Sequence, residues 1–237
     1  MSFLQLMLIF TLILILAFPS AMPAAEPPKD LQVAEEMIRD GLARDAVQRL
    51  RNWLQKNNEA PHPEARVLLA EALLADGRPA EALTALPKNS PGSLANRAVM
   101  IRASALNESE RWKDALAEWK KVELVSLPEA QAAQARIGLA SALLNDNQRE
   151  AGQKELRQVI ENGDPAAAES ARVLLVKSLL TEGKQDQAEK ELASLRENAS
   201  PSALAEARYW KAEITAAKGR SEEARGLFQK LLEETDG

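Results

Sequence analysis

One short pattern recurs six times along this chain, and its spacing constrains the fold more than any single residue does. Each copy is an apolar run with helical periodicity, then a turn residue, and then a small residue five positions later. The six pairs are Gly41/Ala46, Gly77/Ala82, Glu110/Ala115, Asn147/Gly152, Gly183/Ala188 and Gly219/Ala224. Successive small residues lie 33 to 37 positions apart, a period typical of stacked supersecondary units.

The chemistry of these positions predicts that each unit is an antiparallel pair of helices. Glycine and asparagine end a helix in the left-handed conformation without a steric penalty, which leaves Glu110 as the exception. A small residue allows two helices to approach closely. Prolines stand between the copies, where they end one helix and begin the next. They are Pro61, Pro63, Pro91, Pro128, Pro165 and Pro201. We therefore expect an all-α fold, an α-solenoid of about six antiparallel helical hairpins over residues 26–237.

Two further positions recur with the same register. A residue four after each small residue is apolar or aromatic, and a residue seven before each turn residue is small or apolar. The first set is Leu50, Leu86, Trp119, Leu156, Leu192 and Phe228, and the second is Ala34, Ala70, Ala103, Ala140, Val176 and Ala212. This combination resembles the tetratricopeptide repeat (TPR) over roughly residues 30 to 234. The chain departs from that family at two positions of the first helix. The aromatic residue that opens this helix in the family is replaced here, and the family's tyrosine in the same helix is leucine in most copies.

Residues 1–25 form a separate segment that carries no charge. Residues 3–18 are apolar apart from Gln5 and Thr11, and as a helix they would span about 24 Å, short of the roughly 30 Å hydrocarbon core. A short apolar region, prolines and then small residues indicate a cleavable signal peptide, with an uncleaved membrane anchor as the alternative. Either predicts export, to the periplasm or to the periplasmic face of an inner membrane. Contact with a membrane would then be confined to residues 1–25.

Composition excludes several classes of function. The chain has 35 acidic and 30 basic residues and a net charge of −5, so no basic stripe is expected and nucleic acid is not a predicted partner. It has one histidine, His62, and no cysteine, so a His/Cys metal cluster cannot form within one chain. The glycines are spread along the repeats and form no phosphate-binding loop. We expect no cofactor, no metal and no enzymatic activity, and His62 is expected to be a solvated loop residue.

Four arginines occupy one repeat position, each directly after an alanine: Arg66, Arg136, Arg172 and Arg208. One interpretation is a basic ladder that holds the carboxylates of a partner, to which the guanidinium fork is suited. The other, which we favour, is that each arginine pairs with a neighbouring acidic residue and covers apolar surface with its stem.

A second set of candidates lies one residue after the position of these arginines on the first helices, and again four residues beyond that. The resemblance to TPR proteins implies that first helices line a concave groove, and that a groove of mixed polarity binds a peptide or a helix. The candidates are Val67, Glu71, Ser141, Val173, Lys177, Tyr209 and Glu213. The apolar members have an alternative interpretation as core residues, because a stripe at helical spacing usually faces the core.

Together these features predict a non-catalytic scaffold or adaptor of the cell envelope that binds a protein segment in its concave groove. The alternative is an assembly chaperone or a membrane-tethered accessory subunit of an envelope complex. The identity of the partner and the oligomeric state stay open.

Overall fold

The computed structural model describes residues 27–59, 61–90, 92, 94–195 and 201–235, and within them the chain forms twelve α-helices and no strand. The helices make six consecutive antiparallel hairpins, so the predicted all-α solenoid is confirmed. The hairpins are α1 (Lys29–Arg39) with α2 (Ala43–Lys56), α3 (Pro63–Ala75) with α4 (Pro79–Ala85), α5 (Leu94–Glu108) with α6 (Trp112–Trp119), α7 (Glu129–Asn145) with α8 (Arg149–Asn162), α9 (Pro165–Thr181) with α10 (Gln185–Ala193), and α11 (Pro201–Ala217) with α12 (Ser221–Thr235).

All six turns inside the hairpins have the same backbone geometry. The turn residue has a positive φ in every copy, from 58° at Glu110 to 79° at Gly41. The next residue donates its amide hydrogen to the carbonyl oxygen five positions earlier, at 2.8 to 3.1 Å, which is the closing bond of a Schellman motif. Glu110 is thus an exception in residue type but not in conformation.

The small residues lie where the two helices of a hairpin meet, as expected. Ala46, Ala82, Ala115 and Ala188 are fully buried. In the fourth hairpin the approach is closer, because a β-carbon built on Gly152 would lie 2.8 Å from Leu144 Cγ and 3.0 Å from a backbone oxygen. Glycine is therefore required there, whereas alanine suffices in the other hairpins.

The stacking of the hairpins creates two different faces. Each first helix contacts the first helix of the next hairpin, along the series α1, α3, α5, α7, α9 and α11. The second helices of the described hairpins do not contact one another, and each of the first five packs between its own first helix and the next one. Helices that touch their successors lie at the smaller radius of the solenoid. The six first helices therefore line the inner side, which we call the concave face.

One connection between hairpins is longer than the others. Residues between α6 and α7 include a short 3₁₀ helix, Leu124–Ser126. Asn96 at the start of α5 holds it, donating to Ser126 Oγ at 2.9 Å and accepting from the amide of Glu123 at 3.3 Å. The long connection follows a short α6 of 8 residues, so the interval between Ala115 and Gly152 is still 37 residues.

The predicted signal peptide or anchor, residues 1–25, lies outside the residues that the structure describes. Among the helices that are described, none combines the length and apolarity needed to cross a membrane.

Candidate protein-interaction surface

The apolar candidates on the first helices divide between core and surface. Val67 is 1% exposed and belongs to a cluster of buried residues, and Val173 is 7% exposed. This agrees with the alternative interpretation of the stripe, in which the apolar candidates are core residues. Tyr209 is 43% exposed and lies on the surface of α11.

An ion cluster joins the first three hairpins across the concave face. Arg97 on α5 donates from Nε to Glu71 on α3 at 2.8 Å and from an Nη to Glu35 on α1 at 3.0 Å. Burial disfavours the charged guanidinium, but the carboxylates of Glu71 and Glu35 outweigh this and raise the pKa of Arg97. The predicted contact residue Glu71 is therefore already neutralised within the chain.

Two of the four arginines of the ladder, Arg136 and Arg172, form ion pairs between the first and second helices of their own hairpins. Arg136 lies 2.8 Å from Glu155, and Arg172 lies 2.8 Å from Glu191. Asp30 and Arg49 form the same bridge in the first hairpin, at 2.6 Å and with the charges exchanged. Each partner is 19 residues further along the chain. The favoured interpretation thus holds for Arg136 and Arg172, whereas exposed Arg66 has no ion-pair partner among the described residues.

A polar cleft of about 270 Å³ opens between the ends of α7 and α9 and the start of α8. Ser141 and Lys177, both predicted contact residues, lie in its wall. Its polar lining is Ser141, Asn145, Asn147, Arg149, Lys177 and Thr181, with buried Ser178 accepting a hydrogen bond from Gln153 at 2.9 Å. The structure therefore brings two of the predicted residues together, in the middle of the concave face.

Aromatic side chains gather at the last hairpin. Tyr209 meets Trp210 at a centroid distance of 5.0 Å and Phe228 at 5.8 Å, both edge to face. The hydroxyl of Tyr209 donates to Glu213, and this hydrogen bond raises the pKa of Tyr209. Tyr209 and Glu213, predicted as separate contacts, thus act as one hydrogen-bonded unit.

His62 differs from its expectation. Its ring lies edge to face against Trp53, with centroids 4.8 Å apart, so it packs on a neighbour instead of being simply solvated. It also has a positive φ of 32° immediately before α3. Across the described part of the chain, no group of three or more metal-ligating side chains comes together.

Sequence reasoning missed several residues of this surface. Asn145 and Thr181 stand four positions after Ser141 and Lys177, so the helical i,i+4 relation was the available signal. Arg149 and Arg97 had no such signal, because their repeat positions carry unrelated residues in the other hairpins.

Comparison with known proteins bears on the repeats themselves. Two models of the tetratricopeptide repeat match the chain, at residues 37–88 and 173–237. Both matches support a tetratricopeptide-repeat family. Such repeats generally mediate protein–protein interaction, and the family is generally non-catalytic. None of the curated proteins compared matches the chain.

Solved structures agree at the level of the fold. A MamA RS-1 double mutant is 19% identical, with a TM-score of 0.52 over 70% of this chain and 93% of its own. A Podosopora anserina protein with nearly identical TPR-like repeats is also 19% identical, with a TM-score of 0.41 over 85% of this chain and 91% of its own. At this identity the first likeness shows the fold alone, and the second is too distant to support an argument.

Proposed function

We propose that this chain is a non-catalytic scaffold of the cell envelope that binds an extended or helical segment of a partner protein on its concave face. The observation that carries the proposal is the continuous stacking of the six first helices. The stacking presents one elongated surface. Three zones follow one another along it: acidic residues neutralised by Arg97, the cleft that contains Lys177, and the exposed Tyr209.

The distribution of charge supports a bound segment over a bound small molecule. At one end, Glu35 and Glu71 are occupied by Arg97. The middle holds the polar cleft with Lys177, and the far end exposes Tyr209. A ligand that uses more than one of these zones must reach across several hairpins, as a peptide or helix does.

Site-specific photocrosslinking tests the proposal. A benzoyl-phenylalanine placed at Ser141, on the concave face, should give discrete adducts in cells that express the full-length chain. The matched control is the same probe at Lys154, an exposed residue of the second helix α8. Adducts that form at Lys154 but not at Ser141 would contradict binding on the concave face.

The cellular location is a separate part of the proposal, and it is supported by the uncharged apolar sequence of residues 3–18. The N-terminal mass of protein recovered from fractionated cells tests it. A mature chain beginning near Glu26 in a soluble envelope fraction is the expected result. An intact Met1 in the membrane fraction would favour the alternative, a tethered accessory subunit or assembly chaperone of an envelope complex. Intact Met1 in the soluble cytosolic fraction would overturn export.

A further inference from the structure

The last described hairpin, α11 with α12, exposes an aromatic residue at a position that is covered in the other hairpins. Tyr209 lies ten residues before its turn residue and is exposed. The residues at the same position of the other hairpins are buried or half-buried: Leu31, Val67, Met100, Ile137 and Val173. Val67, for example, shares a buried cluster with Ala98 and Ile101 of the next first helix. The next hairpin therefore covers this position in the stack, and Tyr209 is exposed because it lies at the end.

Leu232 on α12 adds to this exposed surface. It is 65% exposed, whereas Leu54 and Ile160, at the same position of α2 and α8, are half-buried. Single exposed apolar residues are ordinary, but neighbouring ones mark an interaction site. Exposed alanines accompany Tyr209 on one stripe of α11. We call the apolar surface formed by these residues the end face: Ala205, Tyr209, Ala216 and Leu232.

The other end of the stack is polar. The side chain five residues before a turn residue faces the preceding hairpin, since Ser178 accepts a hydrogen bond from Gln153 on the preceding second helix at 2.9 Å. Three other hairpins have a buried alanine at this position: Ala72, Ala105 and Ala142. In the first hairpin it is Glu36, which is exposed. Packing this end on the end face of another copy would bury a carboxylate against apolar side chains, which disfavours a head-to-tail array.

Two charged residues beside the end face lie at the same height on their helices. Because α11 and α12 are antiparallel, Glu213 and Arg225, each six residues from Gly219, are equally far from the turn. Glu213 accepts a hydrogen bond from the Tyr209 hydroxyl and has no ion pair among the described residues. Arg225 reaches Glu222 at 3.2 Å, in a pair whose side chains are 72% and 82% exposed. Such exposed pairs contribute little, so Arg225 is able to exchange this partner for a better one.

These heights make the end face complementary to itself. A two-fold axis parallel to the helices places α11 of one copy against α12 of the other and keeps every residue at its height. Glu213 of each copy then faces Arg225 of the other. Leu232, 13 residues from Gly219, faces the stripe of Ala205 and Tyr209. The four helices pack antiparallel, as in a four-helix bundle.

We propose that the end face binds a second copy of this chain, forming a symmetric dimer through α11 and α12. Tyrosine and arginine are the residue types that most often dominate such interfaces, and Tyr209 and Arg225 supply them here. The inference goes beyond the proposed function, because it uses a different surface. The axis exchanges the first and second helices, so the concave faces of the two copies open in opposite directions. Ser141 of each copy stays accessible to a partner segment.

Sedimentation velocity over a concentration series of the full-length chain tests the dimer. The wild type should pass from monomer to dimer as its concentration rises to about 100 μM. Leu232→Glu should raise the Kd at least about tenfold, because it places a carboxylate in the apolar contact. The control is Lys154→Glu, which adds a carboxylate at an exposed residue of α8 and should leave the Kd within about twofold.

Two results would overturn the inference. One is a wild-type chain that stays monomeric at about 100 μM, which would leave the end face to a helix of a different protein. The other is an association that Leu232→Glu leaves unchanged, as one through residues 1–25 would be.

Charge reversal tests the arrangement of the two copies. Arg225→Glu should raise the Kd about fivefold, because Glu213 of the other copy then meets a like charge. Adding Glu213→Arg to the same chain restores opposite charges and should return the Kd to within about threefold of the wild type. A double variant that dimerises no better than Arg225→Glu would overturn the two-fold arrangement.

Amide exchange locates the interface and separates it from the concave face. Exchange in α11 and α12 should slow as the chain passes from monomer to dimer, while exchange in α1 and α2 stays the same. Slowing in α1 and α2 instead would overturn the inference. Photocrosslinking at Ser141 should be unaffected by Leu232→Glu, so the dimer and the proposed function succeed or fail separately.

Discussion

At the scale of single residues, this fold depends on a few backbone positions. The six turn residues all adopt a positive φ, although one of them is a glutamate. Four of the glycines that do so, including Gly183, have open space where a β-carbon would be. The requirement for glycine at these turns is therefore one of backbone conformation and not of packing.

Replacing Gly183 by valine should destabilise the chain by about 1–2 kcal/mol, because a β-branched residue is strained at a φ of +71°. Thermal unfolding measures the change. The control is Gly226→Ala on α12, where a β-carbon also meets nothing within 4 Å but the backbone is helical. That substitution should stabilise the chain by roughly 0.5–1 kcal/mol. Equal melting temperatures for Gly183→Val and the wild type would contradict the turn assignment.

Replacing Glu110 by glycine should have the opposite sign. Glu110 has a φ of 58°, and glycine removes the steric cost of that conformation at some expense in chain entropy. We expect a net gain of about 0.5–1 kcal/mol in the free energy of unfolding, measured by urea denaturation. Glu110→Ala keeps the β-carbon and should show no such gain. A gain of the same size from alanine would instead implicate the lost charge.

At the scale of helices, polar contacts fasten neighbours that apolar packing brings together. Pairs 19 residues apart join the two helices of a hairpin, as Arg172 and Glu191 do. Other contacts join successive hairpins. Lys218, at the end of α11, reaches Asp186 and Glu189 on α10. These ion pairs engage many of the charged side chains that are spread along the repeats. Few charged side chains therefore remain unpaired and able to bind a partner.

The Arg172–Glu191 pair should have a measurable coupling energy, because both side chains are mostly buried, at 18% and 22% exposure. A double-mutant cycle with alanine should give about 0.5–1.5 kcal/mol. The equivalent Asp30–Arg49 pair is 51% and 37% exposed and should give less than about 0.5 kcal/mol. A larger coupling for Asp30–Arg49 would show that exposure does not govern these bridges.

The contacts of Lys218 predict a dependence on pH. Its hydrogen bonds hold the pKa values of Asp186 and Glu189 below their ordinary 3.8 and 4.5. A lowered carboxyl pKa stabilises the folded chain above the unfolded pKa, and this is lost as the pH falls through the folded pKa. The melting temperature of wild type should therefore exceed that of Lys218→Met at neutral pH, and the difference should shrink below about pH 4.5. A constant difference would contradict the pairing, and Lys154→Met serves as the control.

At the scale of the whole molecule, stability is shared between neighbouring hairpins. The buried residues form three clusters, each of which spans more than one hairpin. Inner hairpins have neighbours on both sides, whereas the described end hairpins pack on one side. Polar side chains of the last described helix, α12, are exposed, including Glu222, Arg225 and Lys230.

Amide hydrogen exchange should follow this arrangement. In a linear array of repeats, an end unit opens without disrupting two interfaces. We expect faster exchange in α1, α2, α11 and α12 than in α7 and α9. Leu156→Ala, in the fully buried centre, should accelerate exchange in the hairpins on both sides as well as in its own. Uniform exchange along the chain would indicate a single cooperative unit.

The sequence alone determined the number of hairpins, their turns and their closest contacts, because these depend on residues close together in the chain. Periodic apolar residues, a turn residue and a small residue five positions later specify one hairpin locally. The left-handed conformation of Glu110 is the instructive case, since its residue type made it the expected exception, yet it adopts the same positive φ as the other turn residues. The contact between the Trp119 ring and Gly138, where a β-carbon would lie 2.2 Å from the ring, could not be predicted from local spacing. The two residues belong to different hairpins.

Only the tertiary structure decided which polar residues are free. Glu71 and Lys177 occupy the same repeat position, yet Arg97 neutralises the first and nothing in the described chain pairs with the second. That difference arises from side chains 26 residues away, across a helix–helix contact that periodicity does not specify. The cleft at α7, α8 and α9 likewise exists only because three helices meet. Local pattern sets the hairpins, and the packing between them sets the charges that a partner would encounter.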